Sequence, residues 1–196
     1  MVMEDDPAMH AALSEALQLS DGQNLQRRKG TRRQQEVARF AASRLRRDAR
    51  IAAFSQNGWD THRRQDKTLP RALAQLSETI LTLKDDLGPQ IWGQTAVVAI
   101  TEFGRTAREN GTIGTDHGTA GLMVMAGGAV RGGKVYGAWP GVSESALYQR
   151  RDLMPMRDVR APLAWILRAV AGADRSVLER DVFPGLDMGT DPGLLL

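Results

Sequence analysis

Apolar positions recur along this chain in two rhythms. A helical rhythm predicts a short helix at residues 8–19. The polar stretch after it, Ser20 to Gly30, reads as a loop or linker broken by Gly22 and Gly30. Thr31 can cap a helix running to about Arg47 that gathers Val37, Phe40, Ala41 and Leu45 on one face. A further helix is predicted over Leu69 to Leu87, where Leu69, Leu73, Leu76, Ile80 and Leu83 share a face and Gly88 stops the run. The last is predicted over Asp158 to Ala171. It turns Leu163, Ile166, Leu167 and Val170 inward and carries Asp158 at its N-terminal end.

Three runs break that rhythm. ARIAAFSQN (49–57) is short and apolar, ends at Gly58, and fits a buried strand. TAVVAIT (95–101) has no charge, no proline and no alternation, which predicts a central strand covered on both faces. GLMVMAGG (121–128) is a third candidate strand, residues 129–156 look irregular, and the tail DMGTDPGLLL looks loose. Helix, strand, helix, strand, loop, strand, helix is the order of an α/β fold with a mostly parallel sheet flanked by helices. The chain divides into an N-terminal segment (1–30), an α/β domain (31–175) and a tail (176–196). Sites in such sheets form just beyond the carboxyl ends of the strands.

Composition narrows the chemistry. The 196 residues suit one α/β domain with a proper core. The absence of cysteine excludes a disulfide scaffold, a thiolate zinc site, an iron–sulfur cluster and a cysteine nucleophile. Net charge is only +3, yet the stretch from Arg27 to Arg50 holds ten basic residues against Glu36 and Asp48. Such a stripe can bind phosphates, but it has no series of aromatics to stack on bases, so a solvated or docking face is favoured and nucleic acid is not an expected partner. No apolar run approaches the ~20 residues of a membrane span, so no membrane is expected. The acidic start lacks the pattern of a signal peptide, and the chain as it stands reads as cytoplasmic.

The polar residues with chemical potential cluster beside the predicted strands. Asp60, Thr61 and His62 follow 49–57; Glu102 and Arg105 follow 95–101; Asp116 and His117 precede 121–128. A divalent cation wants carboxylate and imidazole ligands converging from separate elements. Asp60, His62 and His117 would make such a set with a position left open. Glu102 could bind a second ion or support the first. Arg105 offers a planar fork for an anion such as phosphate or sulfate. Each feature also has a plainer reading. An Asp–His pair is often a structural hydrogen bond, and Glu102 and Arg105 could pair with each other across a loop. Taken together, they favour a polar site.

The ordered motifs GWDTH with Gln65, then TEFGRT, ENG, GTDHG, GGAVRGG, VYG and WPG, resemble the bacterial domain-of-unknown-function family 1501. The resemblance runs from about residue 31 to 172. That family is sulfatase-like and belongs to the alkaline phosphatase superfamily. The resemblance therefore implies part of an alkaline-phosphatase-like sandwich and metal-dependent hydrolysis of phosphate or sulfate esters, on small molecules or glycans. It implies metal ligation by Asp60, His62 and His117, with Glu102 where the superfamily shows an Asp-His pair, an anion contact at Arg105, and support from Thr61, Gln65 and Asp116. The ion would be zinc, calcium or magnesium. Phe103, in the place of a ligand histidine, cannot bind a metal, so a two-metal site is not implied. Relatives carry an N-terminal half with the nucleophile, which implies that this chain corresponds to the C-terminal portion and has little activity alone. The alternative is a non-catalytic binding or scaffold member of the same fold. Relatives also begin with a twin-arginine export signal, implying a periplasmic home for the full-length form.

Overall fold

The computed structural model describes residues 31–196, so the helix expected at 8–19 lies outside the described residues. Helix α1 (Thr31–Leu45) packs against α2 (Gln65–Trp92). Their shared core is Ala38, Ala41 and Ala42 against Leu83 and Leu87, all buried. The alanines let the two backbones come close. Phe40, expected inside, is 46% exposed, so the buried face of α1 is rotated toward its alanines. Helix α2 starts four residues before the predicted Leu69. Its first turn is tied to a neighbouring loop by the amide of Arg64 on the Thr112 carbonyl (3.1 Å) and that of Gln65 on the Ile113 carbonyl (2.7 Å). At Gly88 (φ 70°) the helix kinks where the sequence predicts a stop, and a last turn continues to Trp92.

Four short strands follow: β1 (Val97–Ala99), β2 (Gly104–Arg105), β3 (His117–Gly118) and β4 (Val124–Ala126). They form two antiparallel pairs. β1 lies on β4 with Val98 opposite Met125, and β2 lies on β3 with Gly104 opposite Gly118 and Arg105 opposite His117. The fold is thus mixed helix and sheet, but the mostly parallel sheet of a partial alkaline-phosphatase-like sandwich is corrected. A parallel pair needs a long crossover, usually a helix. Between β1 and β4 the polar, glycine-rich stretch 102–118 folds back on itself as β2 and β3, so the chain returns antiparallel.

Two strand expectations are corrected in detail. Residues 49–57 form no strand among the described residues, and Ile51 (73% exposed) and Phe54 meet solvent. This segment is held instead along α2: the Gln56 amide donates to the Ala72 carbonyl (3.1 Å) and its carbonyl faces the Thr79 hydroxyl. Within 95–101 only Val97–Ala99 is strand, half-buried, and paired on one edge among the described residues.

Helix α3 (Arg160–Ala171) is preceded by Asp158, whose carboxylate accepts the Arg160 amide (2.9 Å), and it ends at Gly172 in the left-handed region. It packs on three later buried residues, of which Met188 belongs to the tail that looked loose in the sequence. Ala161 and Ala164 meet Leu178, Leu186 and Met188, and the Trp165 indole donates to the Met188 carbonyl (3.0 Å). The end of the chain is also paired, with Val130 bridged to Leu195. Among the described residues, no helix is long and apolar enough to cross a membrane.

Candidate metal centre

Two loops and one strand build the centre. Asp60, Thr61 and His62 lie just before α2, and His117 opens β3. Glycine permits their approach. A Cβ on Gly114 would collide with the His62 carbonyl, and one on Gly118 would press on the Arg105 backbone (2.6 Å). Gln65, in the first turn of α2, clamps the two ligand loops. Its side-chain oxygen accepts the hydroxyls of both Thr61 (2.9 Å) and Thr115 (2.6 Å). Thr61 is buried, so this clamp lies beneath the surface.

One oxygen is the focus. Asp60 Oδ1 lies 3.1 Å from His62 Nε2 and 2.9 Å from His117 Nε2, and it also accepts the Arg105 guanidinium. The three ligand atoms of Asp60, His62 and His117 all lie within 4.8 Å of one another. Ligands of one tetrahedral ion at about 2.0–2.1 Å would stand roughly 3.4 Å apart, so little rearrangement separates this group from a coordination shell. This cluster could bind a metal ion. The side chains are 41–57% exposed, which leaves the centre open to solvent. The hydrogen bond with His117, then that with Arg105, holds the Asp60 carboxyl below the usual carboxylate range, ready as an anionic ligand.

Histidine geometry is compatible with a cation here. His62 faces Asp60 through Nε2 and Asp116 Oδ1 through Nδ1 (3.2 Å). An ionised carboxylate only accepts, so both ring nitrogens need protons unless a cation takes the Nε2 lone pair. With an ion at Nε2, the Nδ1–H donates to Asp116, the usual support of a metal-bound histidine. Asn110 completes this chain. Its amide donates to Asp116 Oδ1 (3.0 Å) and to the His62 carbonyl (3.0 Å), while its own oxygen accepts the Thr112 and Gly114 amides. The Asn110 bond, then that from His62, holds the Asp116 carboxyl low. His117 is oriented by a ring. Phe103 stacks on it with centroids 3.9 Å apart and planes 14° from parallel, so the residue that cannot ligate a metal positions one that can.

Arg105 does not offer an open fork. Its guanidinium donates to the carbonyls of Trp59 (2.8 Å) and Thr115 (2.9 Å) as well as to Asp60, and its side chain is only 19% exposed. It binds the two ligand loops together. Glu102 stays apart from the converging group. Its contact is the Thr101 hydroxyl at 3.5 Å. Sequence reasoning passed over Asn110, although the ENG motif marked it, and passed over Arg151 and Asp152, which sit in a stretch without readable rhythm. Asp152 is buried. It accepts Arg151 Nε (2.8 Å) and the Thr119 hydroxyl (2.7 Å), tying residues 148–152 to the end of β3.

The fold and the site define a mixed α/β protein with a surface centre of two imidazoles and one carboxylate. The model of the family described as protein of unknown function (DUF1501) matches residues 1–161, and the chain belongs to this family. No curated protein and no solved structure matches the chain.

Proposed function

We propose that this chain carries the metal centre of a hydrolase domain acting on phosphate or sulfate esters. The observation that carries the reading is the convergence of Asp60, His62 and His117 from separate chain segments, with Asp116 behind His62. The likeness to sulfatase-like hydrolases of the alkaline phosphatase superfamily rests on the motif series and agrees with this placement. The donor set fits zinc or a similar borderline ion better than calcium or magnesium, which prefer oxygen ligands alone. When bound, such an ion would supply Lewis-acid polarisation of an ester oxygen. Asp60 would bring negative charge to it, His62 and His117 would set its geometry, and Gln65 and Arg105 would hold their loops in register.

One observation favours the second reading, a binding module of the same fold. The hydroxyls nearest the centre are engaged: Thr61 and Thr115 donate to Gln65, Thr106 to the Arg108 carbonyl and Thr112 to the His62 carbonyl. None is set against a base as a nucleophile would be. The deciding experiment for the centre is zinc analysis of the full chain after equilibrium dialysis. The expected result is one zinc per chain in the parent and none in His117→Ala. A parent that takes up no zinc overturns the reading.

A further inference from the structure

We propose that Arg151 is the residue that binds the tetrahedral oxyanion of the ester beside this centre. The inference rests on the metal reading above and deepens it by naming the group that receives the substrate's charge. Arg105 is enclosed by the protein, whereas the Arg151 side chain is 61% exposed. Its Nε and Nη2 edge is anchored on the buried carboxylate of Asp152 at 2.8 and 3.3 Å, and Nη2 also donates to the backbone carbonyl of His117 (3.3 Å). Nη1 has no hydrogen-bond partner among the described residues. A guanidinium fixed along its Nε–Nη2 edge keeps the two N–H groups of Nη1 free, a positioned cationic donor for one oxygen of phosphate or sulfate. The His117 carbonyl places this cation on the strand that supplies a metal ligand.

The backbone gives a second, independent reason. Arg151 leaves a tight turn whose two central residues, Gln149 (φ 51°) and Arg150 (φ 57°), both occupy the left-handed region without being glycine. The Arg151 amide closes the turn on the Tyr148 carbonyl (3.1 Å) and the Arg151 carbonyl accepts the Ala107 amide (3.0 Å). Asn-Gly or Gly-Gly would fill such a turn without strain. Two strained residues in succession persist only where the surroundings over-determine them, and such positions gather at functional sites. What this strain secures is the position of Arg151 and Asp152.

The test is calorimetric titration of the full chain, zinc-loaded and zinc-free, with inorganic phosphate and with sulfate. In Arg151→Gln the zinc content should match the parent while phosphate affinity falls about tenfold or more, as expected for a lost charge-assisted contact. Arg151→Lys keeps the charge opposite Asp152 but loses the anchored Nη1 donor, and should fall between the two. It decides the matter if the glutamine variant does not fold. Parent-like phosphate affinity in either folded variant overturns the inference, as does a zinc-loaded parent that binds neither anion. A parent without zinc overturns the metal reading alone. In that event, Arg151-dependent phosphate binding to the metal-free chain still supports the inference, and its absence overturns it.

Discussion

Asp116 never touches the site proposed for the ion, yet its carboxylate lies 3.2 Å from Nδ1 of His62, where it would accept the Nδ1–H of a histidine bound to an ion through Nε2. Asp116→Asn keeps the shape and removes the charge. Zinc affinity should drop about 10–100-fold in competition titrations, in the range known for partners of metal-bound histidines. Asp60→Asn should abolish zinc binding, because it removes the one anionic ligand. Gly114→Ala tests the packing beneath. Its new methyl would push on the His62 carbonyl, so zinc binding should weaken although no ligand has changed. Phe103→Leu should act more gently, freeing the His117 ring while leaving its nitrogens intact.

At the scale of elements, the α1–α2 contact and the turn at 148–152 make different demands. Leu83 is buried between the two helices, and Leu83→Ala should cost about 2–5 kcal/mol in chemical denaturation, the usual range for a cavity of that size. Asp152 makes stability depend on pH. The bond from Arg151, opposed by desolvation and aided by Thr119, holds its carboxyl below the ordinary value of about 3.9. A folded-state pKa that is depressed contributes stability above the unfolded value and loses it as pH falls through the folded one. Urea midpoints of the parent and Asp152→Asn should therefore differ at neutral pH and draw together below about pH 4. The helices were legible because apolar residues repeat every three or four positions and a glycine stands near one end of each. The rotation of α1 was not, since three alanines carry a weak apolar signal beside Phe40. In 49–57 and 95–101 an unbroken apolar run speaks of burial but says nothing about which strand lies alongside. The convergence of Asp60, His62 and His117 could be read from polar clusters beside predicted strands. The direction of the Arg105 fork could not, because it is set by carbonyls of Trp59 and Thr115 that only the folded chain brings near.

For the whole molecule, the engaged hydroxyls set the expectation for activity. The full chain supplemented with zinc should not turn over aryl phosphates or aryl sulfates above background. Clear turnover that vanishes in His117→Ala would assign it a nucleophile that the described threonines do not supply. Zinc should nevertheless stabilise the fold. At a hundred times its dissociation constant it contributes about 2.7 kcal/mol, or a thermal midpoint higher by roughly 5–10 °C, and chelation should reverse the shift. The contact of His117 with Asp60 joins positions 57 residues apart in the chain. An ion seated there would work as a removable cross-link closing a long loop, holding the two segments together for as long as it stays bound. Stripping it would release that closure, and digestion within β1 and the later turns of α2, away from the ligands themselves, should speed up.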